Sequence, residues 1–412
     1  MAQSAIIAGV GMTDFGKFPE RGLKSLASEA IVAALADAGL PPGDVEAAYM
    51  GNAAAALITG QAMIAGQVIL RSLGIGRIPV VNVENACATS ATAFQQAERM
   101  IACGQYDVVL AAGFEKLFHK DKARTFQVFM GAIDVEGIPQ FLASLAKNEP
   151  VPGDSASGDK RSIFMDIYAS AARRHMERYG TTARHFAMVS AKNAYHGSLN
   201  PHAQYRDVLS VDEVLAAPTV SPPLTLPMCA PIGDGAAAIV LVSEKKARAM
   251  GLKDGVRVRS SVLASGWEGS GLSDESVVEY ASRKAYETAA IDPRDIDVVE
   301  LHDATAPAEI ICYEAMGIAK KGEGARLLEQ GATQLGGRIP VNTSGGLLRK
   351  GHPVGATGAA QIVELCEQLR GRAGARQVEG ARLAVAENGG GFLGADAAAT
   401  VVTVLEATGQ AR

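Results

Sequence analysis

Two stretches of the chain repeat one order of hydrophobic and polar positions. Ala30 to Gly51 (AIVAALADAGLPPGDVEAAYMG) has apolar residues at helical spacing, then a proline-containing turn, then a short apolar stretch. Ala281 to His302 (ASRKAYETAAIDPRDIDVVELH) repeats this order, with Pro42 and Pro293 at equivalent positions. The pattern predicts a helix, a turn and a buried strand in each copy. Because the proline turn follows the predicted helix at the same distance in both copies, the pattern indicates an internal duplication.

Apolar runs that predict buried strands flank each copy. Ala5 to Val10 and Val256 to Leu263 precede the two helices. Ala236 to Val242 (AAAIVLV) and Ala397 to Leu405 (AAATVVTVL) are continuous apolar runs rich in β-branched residues. Because strands alternate with helices, we predict an α/β fold of two duplicated halves with mixed, mostly parallel sheets.

The pattern changes between the two halves, where a Pro-, Gly- and Ser-rich connection (EPVPGDSASGDK) and basic helical stretches occur. We therefore expect an inserted loop domain at residues 115–228, able to form a lid or a cofactor-binding subdomain. The N-terminal half then comprises residues 1–114 and 229–250, and the C-terminal half comprises residues 251–412.

Composition and charge narrow the class of protein. Hydrophobic residues make up 48% of the chain and charged residues 20%, which is typical of a globular protein with a large core. The net charge of −5 disfavours nucleic-acid binding, and no apolar run reaches the roughly 18 residues that a membrane span needs. Five cysteines without a CxxC pair predict a reducing compartment and no metal site. The first residues lack the features of a secretory signal, and the last do not resemble a peroxisomal one, so we expect a cytoplasmic enzyme.

Cys87 is the candidate nucleophile. It lies in VNVENACATSATAFQQAERMIACG, where a predicted strand turns into a helix. Backbone N–H groups at a helix N-terminus favour a thiolate over a thiol, whereas an inert buried cysteine is the structural alternative. The remaining cysteines lie in apolar patterns and are expected in the core: Cys103, Cys229, Cys312 and Cys366.

Two histidines and a glycine run complete the candidate chemistry. His352 lies in VNTSGGLLRKGHPVGATG, whose glycines suit close approach of the backbone to a ligand. His302 follows a predicted strand in VVELHDATAPAE, and ligands of α/β sheets bind at the carboxyl ends of strands. The triple glycine of AENGGGFLG (Ala386 to Gly394) indicates backbone N–H groups that face a ligand. A surface-loop histidine, or one satisfied by nearby backbone, is the structural alternative in each case.

These segments together resemble the thiolase superfamily, and most closely its sterol-carrier-protein-type branch. ACATSA is similar to the nucleophile motif of the superfamily, and HDATAPAE to the HDCF-type motif of that branch. GHPVGATG is a near match to a signature of the family, and KNAYHGSLNPHAQYR (Lys192 to Arg206) resembles a stretch of the same branch. The resemblance covers essentially the whole chain.

The resemblance implies an acyltransferase that cleaves or forms 3-oxoacyl-CoA with CoA or acetyl-CoA. Cys87 would carry the acyl group after His352 accepts its proton. His302 and His352 would polarise the thioester oxygen of the second substrate, while the N–H groups of Cys87 and Gly389 would form the oxyanion hole of the acyl-enzyme. Coenzyme A and acyl-CoA would be substrates with no tightly bound cofactor, and a homodimer or tetramer is expected.

One departure from the family concerns the acid/base residue. Many thiolases have a second cysteine in a CxGGG motif, but here Glu387 occupies that position, followed by Asn388 and three glycines. The cysteine of the HDCF motif is also replaced, by Ala304. Glu387 could transfer the proton itself if burial raises its pKa, or it could only cap a helix or a turn. Alternatively, the substrate could have a leaving carbanion that is stabilised without protonation by the enzyme.

Other functions remain open at this stage. A carbon–carbon lyase of the retro-aldol type would use the same fold without an acyl-cysteine. A partner-dependent subunit would work with a small zinc-ribbon/OB-fold accessory protein, as some relatives of this branch do. A CoA-ester-binding subunit without turnover is the non-enzymatic alternative. No residue is assigned to coenzyme A, and the apolar stretch Phe126 to Phe141 is a candidate wall of the acyl pocket.

Overall fold

The computed structural model describes residues 4–139, 162–267, 275–394 and 396–409. The connection EPVPGDSASGDK and the end of the candidate pocket wall, Phe141, lie outside the described residues. No helix within the described ranges combines the length and the apolar character needed to cross a membrane.

The first half contains the repeated order of strand, helix, turn and strand. Its elements are β1 (Ala5–Met12), α1 (Leu23–Ala38), β2 (Ala47–Gly51), α2 (Ala55–Ile58), α3 (Ala65–Ser72), β3 (Val80–Val83), α4 (Thr89–Ala102) and β4 (Val108–Glu115). The segment that follows is mainly helical: α5 (Lys122–Met130), α6 (Ile163–Tyr179), α7 (Ala183–Ser198), α8 (Val211–Ala216), and the hairpin strands β5 (Thr219–Ser221) and β6 (Leu224–Thr225). The chain then returns to the first half with β7 (Gly235–Ser243) and α9 (Glu244–Met250).

The second half repeats the plan of the first. Its elements are β8 (Val256–Ser265), α10 (Val277–Ala289), β9 (Val298–Glu300), α11 (Ala306–Ala315), α12 (Gly324–Glu329), α13 (Gly346–Arg349), α14 (Thr357–Leu369), β10 (Leu383–Leu393) and β11 (Asp396–Ala407). The predicted proline turns are short 3₁₀ helices at Pro42–Asp44 and Pro293–Asp295, each with proline in its first turn. Proline suits this position because it needs no hydrogen-bond partner for its nitrogen. The sequence pattern therefore identified the repeated unit correctly.

The strands form one nine-stranded sheet in the order β3-β2-β4-β7-β1-β8-β11-β10-β9. In the first half only β7 runs against the other four strands, and in the second half only β11 runs against the other three. The halves join between β1 and β8, where Ile6 pairs with Arg257 and Ile7 with Val256. The mixed α/β fold with two similar halves is thus confirmed.

Two helices lie between the halves and carry the functional loops. α4 and α14 each contact strands of both halves, and they share one apolar core with Phe94, Ile101 and Leu365 at its centre. A second core packs α1 and α3 on the outer face of the first half, and a third packs α10, α11 and α7 on the outer face of the second. The N-terminal ends of α4 and α14 meet in the interior, so the residues before them are brought together from distant parts of the chain.

Candidate active site

Cys87 lies in a tight turn immediately before α4, as the sequence predicted. A 3₁₀ turn at Ala86–Ala88 leads into the helix, and Ala86 has a positive φ of 48°, which is strained for a residue with a Cβ. Thr89 holds the turn: its Oγ1 accepts from the N–H of Asn85 (2.8 Å) and donates to the carbonyl of Ala86 (2.6 Å). The turn therefore presents the Cys87 side chain in one orientation.

The triple glycine belongs to strand β10, which passes directly behind this turn. A Cβ at Gly390 would lie 2.5 Å from the backbone N of Ala88, so only glycine allows the strand to approach so closely. The N–H of Gly391 is directed at the Cys87 sulfur. At Gly389, by contrast, a Cβ would meet no protein atom within 3.6 Å, and the residue lines the cavity in front of Cys87. Packing therefore does not require glycine at position 389.

His352 has one ring nitrogen committed to the protein and one free. Its Nδ1 lies 2.7 Å from Oγ1 of Thr357, and that hydroxyl donates its own hydrogen to the carbonyl of Pro353 (3.1 Å). Thr357 must therefore accept from the Nδ1–H of His352. This assigns the lone pair to Nε2, which makes the free nitrogen a proton acceptor.

His302 is held with the opposite tautomer. It lies two residues beyond the end of β9, and its backbone N–H donates to Oε2 of Glu387 (2.9 Å). The side-chain amide of Asn388 donates to Nδ1 of His302 (3.0 Å), so the ring hydrogen is on Nε2. Two neighbouring residues of β10 thus orient His302 as a hydrogen-bond donor. Sequence reasoning missed the role of Asn388.

The structure brings Cys87, His302 and His352 together. One ligand atom from each lies within 4.8 Å of the others, and the two imidazole rings meet edge to face with centroids 5.2 Å apart. All three side chains are buried but line the same cavity. The spacing would also suit one metal ion, although the sequence pattern predicted no metal site.

Burial keeps these groups neutral in the resting enzyme. It raises the pKa of Cys87 to about 12, and the charges of Glu115 and Glu84 act in the same direction. Burial lowers the pKa of His302 to about 4, and it lowers that of His352 well below its usual range with help from His302 and Lys350. Loss of solvation therefore opposes the thiolate that the N–H groups near Cys87 favour, and it is the larger of the two effects. Ionisation of Cys87 would therefore need a base, and Nε2 of His352 is an available proton acceptor.

Glu387 lies in strand β10 rather than in a turn and does not line the cavity. Burial raises its pKa to about 7. Its Oε2 is 3.9 Å from the sulfur of Cys312 on α11.

Three of the four cysteines that were expected in the core are not simple core residues. Cys312 is a half-buried neighbour of the site, Cys229 lines the cavity, and Cys103 is exposed at the end of α4. Cys366 is buried as expected.

Helix α7 supports the loop of His302 through a buried charge network. Lys192 forms an ion pair with Glu309 (2.7 Å) and donates to the carbonyl of Val341 (2.8 Å). The amide of Asn193 donates to Oδ2 of Asp303 and to Oε2 of Glu309, both at 2.8 Å. These contacts tie the segment after His302 to the helix.

The same helix also supports the glycine-rich loop that precedes His352. Nδ1 of His196 donates to the carbonyl of Asn342 (3.0 Å), and the amide of Asn200 donates to the carbonyl of Ser344 (2.9 Å). Gly197 lies so close that a Cβ on Gly345 would be 2.6 Å from its Cα. The stretch KNAYHGSLN was noticed in the sequence, but these contacts depend on residues more than 100 positions away.

A cavity of about 760 Å³ opens in front of Cys87. Its walls are rich in aromatic side chains: Phe126, Phe129, Phe164, Tyr168 and Phe392. Phe126 and Phe129 belong to the predicted pocket wall, whereas α6 and Phe392 were not anticipated. Basic side chains, Lys17, His119 and Lys122, also line this cavity. Lys116, another basic residue of the insertion, is instead buried in an ion pair with Asp234 (2.6 Å).

Comparisons with known proteins agree with this arrangement. The family model "Thiolase, N-terminal domain" matches residues 5–245, and "Thiolase C-terminal domain-like" matches residues 270–406. Sterol carrier protein 2 of Bos taurus is 38% identical over 93% of this chain and 69% of its own length. The acetyl-CoA acetyltransferase of Methanothermobacter thermautotrophicus is 37% identical over 93% of this chain and 96% of its own. Among solved structures, the Ltp2-ChsH2(DUF35) aldolase superposes with a TM-score of 0.78 at 24% identity, covering 98% of both chains.

Proposed function

The chain belongs to the thiolase family and is an acyltransferase, and we propose that it cleaves or forms 3-oxoacyl-CoA through an acyl intermediate on Cys87. The observation that carries the proposal is the convergence of one sulfur and two imidazoles within 4.8 Å at the end of the cavity. The opposite tautomers of the two histidines give each a separate task.

In the cleavage direction, Nε2 of His352 takes the proton of Cys87 as the sulfur attacks the 3-oxo carbon. The N–H groups of Cys87 and Gly389 stabilise the oxyanion that forms on that carbon. The bond between C2 and C3 then breaks, leaving the acyl group on Cys87 and the enolate of the shorter acyl-CoA. The Nε2–H of His302 stabilises the thioester oxygen of this enolate.

Transfer to a second thiol completes the reaction. Coenzyme A attacks the acyl-cysteine and releases the chain as a new acyl-CoA, and the Cys87 sulfur recovers its proton from His352. We propose that coenzyme A acts as a substrate rather than as a bound cofactor, with its phosphates near Lys17, His119 and Lys122. The aromatic wall formed by α5, α6 and Phe392 would receive the acyl chain.

A mass measurement tests this proposal. Intact protein mixed with acetyl-CoA, and separately with acetoacetyl-CoA or longer 3-oxoacyl-CoA esters, is expected to gain the mass of one acyl group. Cys87→Ala should abolish the adduct, whereas Cys103→Ala, which removes an exposed cysteine, should leave it unchanged. Absence of an adduct with every ester, or an adduct that survives in Cys87→Ala, would contradict the acyl-Cys87 mechanism.

Retro-aldol cleavage is the second candidate, because the neighbour with a TM-score of 0.78 is described as an aldolase in complex with a second protein. The present chain retains the cysteine nucleophile, which favours acyl transfer. Release of an aldehyde or ketone without consumption of coenzyme A would instead support the lyase. We also propose that the chain assembles as a homodimer or tetramer, and that it associates with a zinc-ribbon/OB-fold protein. Measurement of the molecular mass in solution, first of this protein alone and then with such a partner, tests both proposals.

A further inference from the structure

Carbon–carbon chemistry at this site needs a proton donor that the three catalytic side chains do not provide. His352 holds the proton of Cys87, and His302 holds its own hydrogen on the thioester oxygen. Ala304 lines the cavity but has no acidic proton. Glu387 does not line the cavity; its Oε2 accepts from the N–H of His302, and its Oε1 lies 3.6 Å from the position that a Cβ would take on Gly389, a cavity residue. Beyond Glu387, the candidates for protonating the carbon of the leaving enolate are the side chains that line the cavity.

Most cavity-lining groups with an acidic proton are engaged elsewhere or lie in solvent. The thiol of Cys229 is directed at the carbonyl of Thr225 (3.6 Å). The ring of Tyr205 lies beneath the guanidinium of Arg349, 5.4 Å from its centroid, and is 38% exposed. Lys17 and Lys122 are also exposed.

Tyr168 meets the requirement. It projects from α6 into the cavity, with its ring edge-on to Phe392 at a centroid distance of 6.3 Å. Its hydroxyl forms no hydrogen bond with any of the described residues. Burial raises the pKa of the Tyr168 phenol well above its usual range, so the hydroxyl keeps its proton. The side chain is therefore an uncommitted, neutral proton donor in the cavity that Cys87 also lines.

We propose that the hydroxyl of Tyr168 is the acid/base group of the carbon–carbon step. This inference rests on the proposed function. In cleavage, the enolate carbon takes the proton of Tyr168 and the acyl-CoA product leaves, which creates a phenolate. The phenolate then takes the proton of the incoming coenzyme A thiol as the coenzyme A sulfur attacks the acyl-cysteine. Tyr168 has therefore regained its proton at the end of each cycle.

Tyr168→Phe separates this step from acyl transfer. Exchange of label between acetyl-CoA and free coenzyme A needs only acyl-Cys87 and is expected to stay within about threefold of the wild type. Cleavage of acetoacetyl-CoA is expected to fall about 10²–10⁴-fold, the usual contribution of a general acid. Incorporation of deuterium from D₂O into the acetyl group of acetyl-CoA should fall in parallel. Tyr179→Phe, the same change on the same helix outside the cavity, should alter none of the three rates.

The outcomes distinguish the two proposals. If the wild type shows no label exchange and no acyl adduct, the proposed function fails. If the wild type exchanges label but Tyr168→Phe retains cleavage within threefold, the role of Tyr168 is overturned. Equal loss of exchange and cleavage in Tyr168→Phe would assign the residue to packing and would also overturn it. Replacement of Tyr168 by 3-fluorotyrosine, which preserves shape and acidifies the phenol, should shift only the pH profile of cleavage and deuterium exchange.

Discussion

The side-chain amide of Asn388 donates a hydrogen bond of 3.0 Å to Nδ1 of His302, which leaves the ring hydrogen of His302 on Nε2. The adjacent residue, Glu387, accepts the backbone N–H of the same histidine at 2.9 Å. Consecutive side chains of one strand thus define both the position and the tautomer of the His302 imidazole. In the proposed mechanism, this tautomer is what allows His302 to stabilise an oxyanion.

Asn388→Asp should reverse the tautomer of His302. A carboxylate accepts a hydrogen bond, so Nδ1 would carry the hydrogen and Nε2 would lose it. We expect kcat for acetoacetyl-CoA cleavage to fall about 10²–10³-fold, comparable to loss of one oxyanion donor, with a smaller loss in Asn388→Ala. Label exchange between acetyl-CoA and coenzyme A should change less than cleavage. Wild-type kcat in Asn388→Asp would contradict the assigned tautomer.

Cys87 should react slowly with iodoacetamide at pH 7, because burial raises its pKa to about 12 and little thiolate is present. Exposed Cys103 provides an internal comparison in the same sample. Peptide mapping by mass spectrometry is expected to show Cys103 alkylated well before Cys87. Alkylation of Cys87 should accelerate only as the pH rises enough to ionise its thiol. Preferential alkylation of Cys87 at pH 7 would indicate a preformed thiolate.

Lys192→Met should destabilise the fold, because it leaves the fully buried carboxylate of Glu309 near Asp303 without its cation. Removal of one partner of a buried ion pair costs about 3–5 kcal/mol in the free energy of unfolding. Urea denaturation provides the measurement. The matched control is Lys284→Met, at an exposed pair with Glu287, which should change stability by no more than about 0.5 kcal/mol. Equal stability of the two variants would contradict the supporting role of the network.

Glu387→Gln should change how stability depends on pH. The folded state raises the pKa of Glu387 to about 7 from an ordinary value near 4.5, so it binds this proton more tightly than the unfolded chain does. Wild-type stability relative to Glu387→Gln should therefore fall as pH rises from about 4.5 to about 7, by up to about 1.4 kcal/mol per pH unit, and then level off. Titrations shared by both proteins, such as that of His302, cancel in the difference. Parallel stability profiles would show that Glu387 ionises normally.

Zinc should inhibit the enzyme reversibly. Cys87, His302 and His352 offer one sulfur and two nitrogens within 4.8 Å, and zinc prefers such ligands. Micromolar zinc is expected to block label exchange, and a chelator should restore it. Cys87→Ser should weaken zinc binding measured by calorimetry, since an alcohol is a poor zinc ligand. Unchanged exchange in the presence of zinc would show that the cavity does not admit the ion at these atoms.

Features encoded by neighbouring residues could be predicted from the sequence alone. The repeated unit is visible because helical and strand periodicities, together with the proline turns at Pro42 and Pro293, are local properties. The turn before α4 likewise follows from local pattern, which is why Cys87 was placed correctly. The position of His302 just after a buried strand could be derived in the same way. The sequence by itself therefore determined the fold class and the residues that carry the proposed chemistry.

Only the tertiary structure decided how those residues behave. The neutral state of Cys87 depends on burial by segments far along the chain, and a helix N-terminus alone predicts the opposite. The tautomer of His302 depends on Asn388 in another strand, and the supporting role of Lys192 depends on a helix of the insertion. Tyr168 has no local sequence signal at all, because an aromatic residue on a helix is ordinarily core. Solvation, hydrogen-bond direction and proximity are set by packing between distant segments, which periodicity along one segment does not encode.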